Sequence, residues 1–236
     1  MNILSRKSEV ACELQKCMQG NTTNPEKLVR ELHQRLLNSK IKFPLLEYCA
    51  EEIYDQTPKD QHFKICDEIS ALKTIGGDVI IGILLRNHLS QNTGIIFEKA
   101  ANYIAHSGTW QATDIIGERV FGPALLLHFE SALNNLKTLS SHPNNWVVRS
   151  IGPGCHNAVK NGLSADKVKA LFELLISLSG AKDYHIKTGI GWAAKTVAKF
   201  HPDIIIKYDL ENEHVGQWFR TKVRIGLERN SYAKRN

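Results

Sequence analysis

Apolar residues recur every three to four positions along most of the chain, which is the spacing of amphipathic helices. Short breaks containing Gly, Pro, Asn or Ser separate successive segments, as expected where helices end. Pro25 follows Asn24 and suits the first position of a helix. The predicted helical segments are, in chain order, EKLVRELHQRLL, KFPLLEYCAEEIYDQ, DQHFKICDEISALKTI, NTGIIFEKAANYIAHS, TWQATDIIGERVFG, PALLLHFESALNNLKTLS, NNWVVRSIGPGCHNAVKNG, SADKVKALFELLISLSG, DYHIKTGIGWAAKTVAKF, PDIIIKYD and HVGQWFRTKVRIGLERN. The pattern predicts a single all-α domain over residues 1–236.

One segment, DVIIGILL, could form a strand on composition alone. No second segment with alternating apolar and polar residues is available to pair with it. We therefore predict a buried helix there.

Three Ile-Gly pairs recur at similar spacing: Ile116-Gly117, Ile151-Gly152 and Ile190-Gly191. Their glycines are 35 and 39 residues apart, which is the length of two antiparallel helices with their turns. A glycine within a helix costs about 1 kcal/mol relative to alanine, so three at one phase indicate close helix packing. The pattern predicts a HEAT-like (ARM/HEAT) helical-repeat solenoid with a concave groove lined by the second helix of each pair. Chance similarity among helical segments is the alternative.

The repeat brings several side chains into one phase. Asp114 and Arg149 each precede an aligned glycine by three residues, Trp110 precedes one by seven, and Trp192 follows one directly. Positions four apart share a helix face, so these four side chains are expected to converge on one groove. Trp146 stands six residues before its glycine, off this line, and is expected in the core.

The residue types at this phase have a defined chemistry. Tryptophan faces attract cations, a carboxylate stabilises the oxocarbenium-like states of glycoside cleavage, and arginine binds phosphate bidentately. Each type alone is more often structural: a core tryptophan, a surface acid or a solvated arginine. Their conjunction at repeat spacing suits cleavage of an N-glycosidic bond on a charged polymer.

Composition and charge narrow the class of partner. Apolar residues make up 42% and charged residues 23%, as in globular proteins, and no apolar run is long enough for a membrane span. The first residues show no secretion signal, and five scattered cysteines without zinc-site spacing fit a reducing cytosol, so we expect a cytoplasmic protein. The net charge is +6, and from Lys182 onward 11 lysines and arginines oppose 6 acids. A basic region of this kind favours nucleic acid.

The stretches TWQATDIIG, NNWVVRSIG and KTGIGWAAKTVAKFHPDIIIKY resemble the DNA alkylation repair family of HEAT-like glycosylases, the AlkD type. The resemblance covers roughly residues 60–230. The family pattern is Trp-x-x-x-Asp, then Trp-x-x-Arg, then Ile-Gly-Trp followed by a basic residue. Here Lys195 occupies that last position, where arginine is common. Three such motifs in order, at matching spacing, form a specific signal.

The resemblance implies a metal-independent DNA glycosylase that hydrolyses the N-glycosidic bond of cationic N3- and N7-alkylated purines in base excision repair. It implies that Asp114 is the catalytic carboxylate, that Trp110 and Trp192 pack against the deoxyribose, and that Arg149 and Lys195 bind the backbone. The basic helix RTKVRIGLERN adds Arg220 and Lys222 as expected phosphate ligands. We expect a monomer without cofactor or metal, acting on double-stranded DNA and associated with the nucleoid if bacterial.

The N-terminal region departs from the family pattern. Pro44 is followed by Leu45, Leu46 and Glu47 rather than by arginines, and Glu31 stands about where an aromatic DNA contact is expected. Two alternatives therefore stay open. One is a non-catalytic HEAT-like protein that binds unusual or branched DNA, and the other is a protein-binding solenoid scaffold.

Overall fold

The computed structural model describes residues 3–211 and 214–230, and these are almost entirely helical. The strands in this part of the chain are a parallel pair of two residues each, β1 (Ile3–Leu4) and β2 (Lys40–Ile41). The predicted all-α class is therefore confirmed. The chain forms two compact units, one up to Leu89 and one from Ser90 onward, while the single domain over 1–236 stays a prediction. No helix in the described ranges is long and apolar enough to cross a membrane.

The first unit contains five α-helices: α1 (Lys7–Met18), α2 (Pro25–Leu32), α3 (Phe43–Gln56), α4 (His62–Ala71) and α5 (Ile75–Asn87). A π-helical turn over 33–37 extends α2, and a 3-10 turn over 59–61 precedes α4. Pro25 begins α2 as predicted, after Asn24, whose side chain accepts a hydrogen bond from the Lys27 amide. The segment DVIIGILL lies within α5 and is buried throughout, which confirms the predicted buried helix. Helix α1 had not been predicted.

The second unit contains the remaining helices: α6 (Thr93–Ser107), α7 (Trp110–Ile116), α8 (Gly122–Leu127), α9 (Phe129–Leu139), α10 (Asn145–Lys160), α11 (Ala165–Ser177), α12 (Tyr184–Phe200), α13 (Pro202–Ile205) and α14 (Gln217–Glu228). A π-helical turn over 117–121 joins α7 to α8. The predicted segment PALLLHFESALNNLKTLS is divided between α8 and α9, because the backbone leaves the helical region at His128.

The helices of the second unit form two rows. Helix α10 packs against α7 and against α12, and α12 packs in turn against α14. Helices α6, α9 and α11 form the other row and pack beside their neighbours in sequence. Alternation between the two rows is the arrangement of a helical repeat, and the predicted helical-repeat fold is confirmed.

The aligned glycines lie where the second helices of neighbouring repeats touch. A Cβ built on Gly152 would overlap the carbonyl oxygen of Gly189, so α10 and α12 meet backbone to backbone. A Cβ on Gly117 would lie 2.8 Å from the carbonyl oxygen of Ser150. Any larger residue at these positions would separate the helices, which explains why glycine recurs at this phase of the repeat.

A pair of buried histidines packs in the first unit. The Nδ1 atom of His62 lies 2.8 Å from Nε2 of His88, and Nε2 of His62 donates to the Thr57 carbonyl at 3.2 Å. Burial lowers the pKa of His62, and the nearby charge of His88 acts in the same direction. The folded state therefore disfavours protonation of this ring.

We expect the free energy of unfolding to fall as the pH drops below about 6.5, the usual histidine value. The pKa of His62 is depressed in the folded state, so its contribution is present above the unfolded-state pKa and is lost as the pH falls. Urea denaturation at pH 7.5 and pH 5.5 measures the effect. His62→Gln should flatten the difference, whereas His106→Gln, at an exposed histidine, should not. If the free energy of unfolding fell by the same amount between pH 7.5 and pH 5.5 in the wild type and in His62→Gln, this assignment would be refuted.

Candidate functional site

A groove of about 480 Å³ opens on the second unit. Six of the seven predicted site residues line it: Trp110, Asp114, Arg149, Trp192, Lys195 and Lys222. They come from α7, α10, α12 and α14, the row of second helices. Thr188, which precedes its aligned glycine by the same three residues as Asp114 and Arg149, lines the groove as well. The convergence predicted from the repeat phase is therefore present in the structure.

Helix α7 presents an aromatic and an acidic side chain to the groove. The Thr109 hydroxyl accepts a hydrogen bond from the Ala112 amide at 3.3 Å and so caps the helix. Trp110 is thereby the first helical residue, and Asp114 lies one turn later on the same face. The Trp110 side chain is 54% exposed, an unusual state for so large an apolar group at a concave site.

Asp114 and Arg149 form a bidentate ion pair. Oδ1 of Asp114 accepts from Nε and Nη2 of Arg149 at 3.1 and 3.0 Å, and Oδ2 accepts from Nη2 at 2.8 Å. The exposed fractions of the two side chains are 18% for the aspartate and 6% for the arginine. Within the described residues Oδ2 accepts one hydrogen bond, so it keeps a lone pair for a further partner.

The remaining guanidinium nitrogen, Nη1 of Arg149, also makes a hydrogen bond: it donates to the His185 carbonyl at 3.4 Å. The aliphatic stem of Arg149 lies across α12 at Gly189, where a Cβ would come within 2.8 Å of its Cγ atom. Arg149 thus lines the groove with its guanidinium already bonded to Asp114 and to the His185 carbonyl. A role for Arg149 in binding the DNA backbone stays a prediction.

Two further tryptophans stack on histidine side chains. Trp192 is half-buried and stacks on His156, with ring centroids 4.2 Å apart. Trp146 is half-buried and packs against His185 at 4.1 Å, so its predicted place in the core is wrong. It lies in the first turn of α10, where its ring reaches across to α12 instead of inward.

Tyr184 lines the groove but had not been predicted. It is the first residue of α12, after the capping Asp183, and its side chain is 73% exposed. It precedes Gly191 by seven residues, the offset that separates Trp110 from Gly117. The repeat phase therefore marks this position, which tyrosine occupies where α7 has tryptophan.

Lys195 and Lys222 line the groove, and further cations lie close enough to Lys195 to act on its charge. Burial lowers the pKa of Lys195, and the charges of Arg229, Lys222 and Lys199 lower it further. The Lys222 stem crosses α12 at Gly191, where a Cβ would lie 2.9 Å from its Cγ atom. Such mutual repulsion is relieved when an anion binds. We refer to Lys195, Lys199, Lys222 and Arg229 as the cation cluster.

Arg220 is the one predicted site residue that does not line the groove. Its Nη1 atom lies 2.8 Å from Oε2 of Glu211 in an ion pair. The sequence predicts both Arg220 and Lys222 as phosphate ligands, because both lie on one basic helix. Side chains two positions apart in sequence point about 200° apart around a helix. Of these two, the structure turns only Lys222 toward Gly191.

Comparison with known proteins concerns the whole chain. No curated protein and no solved structure matches it. The family model of the DNA alkylation repair enzymes matches residues 20–229. This match begins well before residue 60, so it includes helices α2 and α3 of the first unit despite the departures around Pro44. The chain belongs to the DNA alkylation repair enzyme family.

Proposed function

We propose that the groove is the active site of a DNA glycosylase that removes cationic N3- and N7-alkylated purines, in the first step of base excision repair on a HEAT-like scaffold. Family membership supports an enzyme of alkylation repair that acts on DNA. One observation carries the finer proposal: a single carboxylate, that of Asp114, is held in fixed orientation beside an exposed tryptophan.

The substrate makes one carboxylate sufficient. When the N-glycosidic bond of a cationic purine breaks, the base leaves with the bonding electron pair as a neutral molecule, and no general acid is required. Positive charge develops on the deoxyribose, and a carboxylate aimed at it stabilises the transition state. Water then adds at C1′ and loses a proton to Asp114 or to solvent.

The neighbouring side chains have distinct roles in this scheme. Arg149 orients Asp114 through its bidentate contact while Oδ2 keeps a lone pair for the sugar or the water. The faces of Trp110 and Trp192 attract positive charge on the lesion and on the sugar. The cation cluster binds phosphates of the same strand. The reaction in this scheme uses no metal ion and no cofactor.

Duplex DNA containing 7-methylguanine tests the proposal. The protein should release the free base from this duplex, measured by chromatography, and should release none from an undamaged duplex of the same sequence. Salt-dependent binding without release would support a non-catalytic protein that recognises unusual or branched DNA. Absence of binding at moderate salt would contradict both DNA functions and leave the protein-binding scaffold.

The cation cluster predicts a difference between two neighbouring residues. Lys222→Gln should weaken DNA binding and reduce the slope of log K against log [salt] by about 0.9, the value for one phosphate contact. Arg220→Gln removes the same charge, but Glu211 already pairs with that guanidinium, so its slope should change less. Fluorescence anisotropy between 50 and 300 mM salt measures both. Equal slopes for the two variants would mean that the cluster does not select phosphate.

A further inference from the structure

A half-buried histidine packs against one of the aromatic residues that line the groove. His156 on α10 stacks on the Trp192 indole with a centroid distance of 4.2 Å and an interplanar angle of 29°. Trp192 lines the groove whereas His156 does not. The imidazole therefore supports the indole from outside the lining of the groove.

A hydrogen-bond chain fixes the orientation of this imidazole. Nδ1 of His156 lies 2.7 Å from the Thr196 hydroxyl oxygen, and that hydroxyl donates to the Trp192 carbonyl at 3.0 Å. The carbonyl can only accept, so the single hydroxyl proton is committed to it. In the tautomer that satisfies both contacts, Nδ1 of His156 donates to Thr196. These hydrogen bonds thus connect the His156 ring to the backbone of Trp192, the residue on whose indole that ring stacks.

The helix crossing brings the two rings into contact. Gly152 and Gly189 place the α10 and α12 backbones in direct contact. His156 follows Gly152 by four residues and Trp192 follows Gly189 by three, so both rings project about one turn beyond the crossing. At this distance between the helices, an imidazole fills the space behind the indole.

The ring behind the tryptophan is uncharged at neutral pH. Burial lowers the pKa of His156 to about 4, and the charges of Lys160 and Lys195 contribute to this shift. A neutral imidazole does not compete as a cation for the indole π system, so the groove face keeps its attraction for a cationic ligand. In this respect His156 differs from Lys195 and Lys222, the lysines that line the groove.

We propose that His156 is a positioning residue for Trp192: its stack and its bond to Thr196 hold the indole plane at the groove wall. The inference rests on the proposed function for its effect on excision, but the positioning itself is a property of the free protein. A leucine could fill the same volume, but it would offer neither a flat face nor a donor to Thr196.

The mobility of the Trp192 indole tests the positioning without DNA. Nitrogen-15 relaxation of the four tryptophan indole groups, assigned with Trp192→Phe, should give Trp192 an order parameter near the rigid value of about 0.85. In His156→Leu it should fall below about 0.6, whereas His156→Phe, which keeps an aromatic stack, should retain most of the order. Thr196→Val should lower the order parameter, with Thr196→Ser as the matched control. An unchanged value in His156→Leu overturns the proposal.

Excision then shows whether His156 acts through Trp192. His156→Leu should slow single-turnover release of 7-methylguanine by up to about 10²-fold, the loss that a misplaced side chain can cause, with His156→Phe recovering part of the rate. In a Trp192→Ala background the same substitution should have little further effect, because the residue it positions is gone. Additive losses would overturn the proposal. If no variant or wild type excises any base, the proposed function fails while the relaxation result still decides the positioning role.

Discussion

Asp114→Asn is expected to slow release of 7-methylguanine by about 10²- to 10³-fold, the loss seen when one electrostatic group is removed from a transition state. The amide keeps the size of the side chain but cannot neutralise positive charge on the deoxyribose. Single-turnover release with enzyme in excess over substrate measures the chemical step directly. The same substitution leaves Arg149, with a side chain 6% exposed, without its anionic partner. A modest loss of stability should therefore accompany the loss of rate.

A charge-matched control separates catalysis from binding. Asp203→Asn removes one negative charge from an exposed position in α13 of the same unit. Both variants should bind the damaged duplex at least as tightly as the wild type, because each makes the protein more positive. Only Asp114→Asn should lose excision. If Asp114→Asn bound DNA, kept its fold by circular dichroism and still released base at the wild-type rate, Asp114 would have no part in the mechanism.

Gly152→Ala is expected to destabilise the second unit by about 3 kcal/mol or more, at or above the upper range for overpacking. The added methyl group would overlap the Gly189 carbonyl, which is main chain and cannot rotate away as a side chain could. Helices α10 and α12 would have to separate, and Arg149 and Trp192 would move apart with them. Chemical denaturation and excision should therefore both report the change.

Gly180 provides the matched control for this substitution. A Cβ built there meets no atom within 4 Å, and its backbone does not require glycine. Gly180→Ala should leave the unfolding free energy unchanged or raise it slightly, because alanine restricts the unfolded chain. If the two variants unfolded at the same denaturant concentration, the close helix crossing could not be a source of stability.

The parts of the site that the sequence predicted depend on local periodicity. Asp114, Arg149 and Thr188 share one offset from their glycines, and helical geometry then requires them to face the same side. Helix α5 was predictable because a long apolar run without a partner strand has few other solutions. These inferences use only residues within one helix, or one repeat compared with the next.

Pairings between helices were not predictable in this way. Phase places Arg149 at the groove, but it does not show whether the guanidinium meets a phosphate or Asp114, since both are anions within reach of the same stem. His156 follows its glycine by four residues, as Phe121 and Lys195 do, so the offset alone does not distinguish a stacking ring from a core residue or a groove cation. Arg220 and Lys222 point in different directions from α14, and these directions depend on how α14 packs against α12.

The contact between Gly152 and Gly189 bears on how readily this groove could be altered. The distance between α10 and α12 is set by contact between their main chains, and not by the volumes of the side chains that line the groove. Exposed lining residues such as Trp110 and Tyr184 can then be exchanged without changing the distance between the helices that carry Arg149 and Trp192. A library that varies those two positions should therefore yield folded proteins at high frequency, even where a substitution at Trp110 lowers excision.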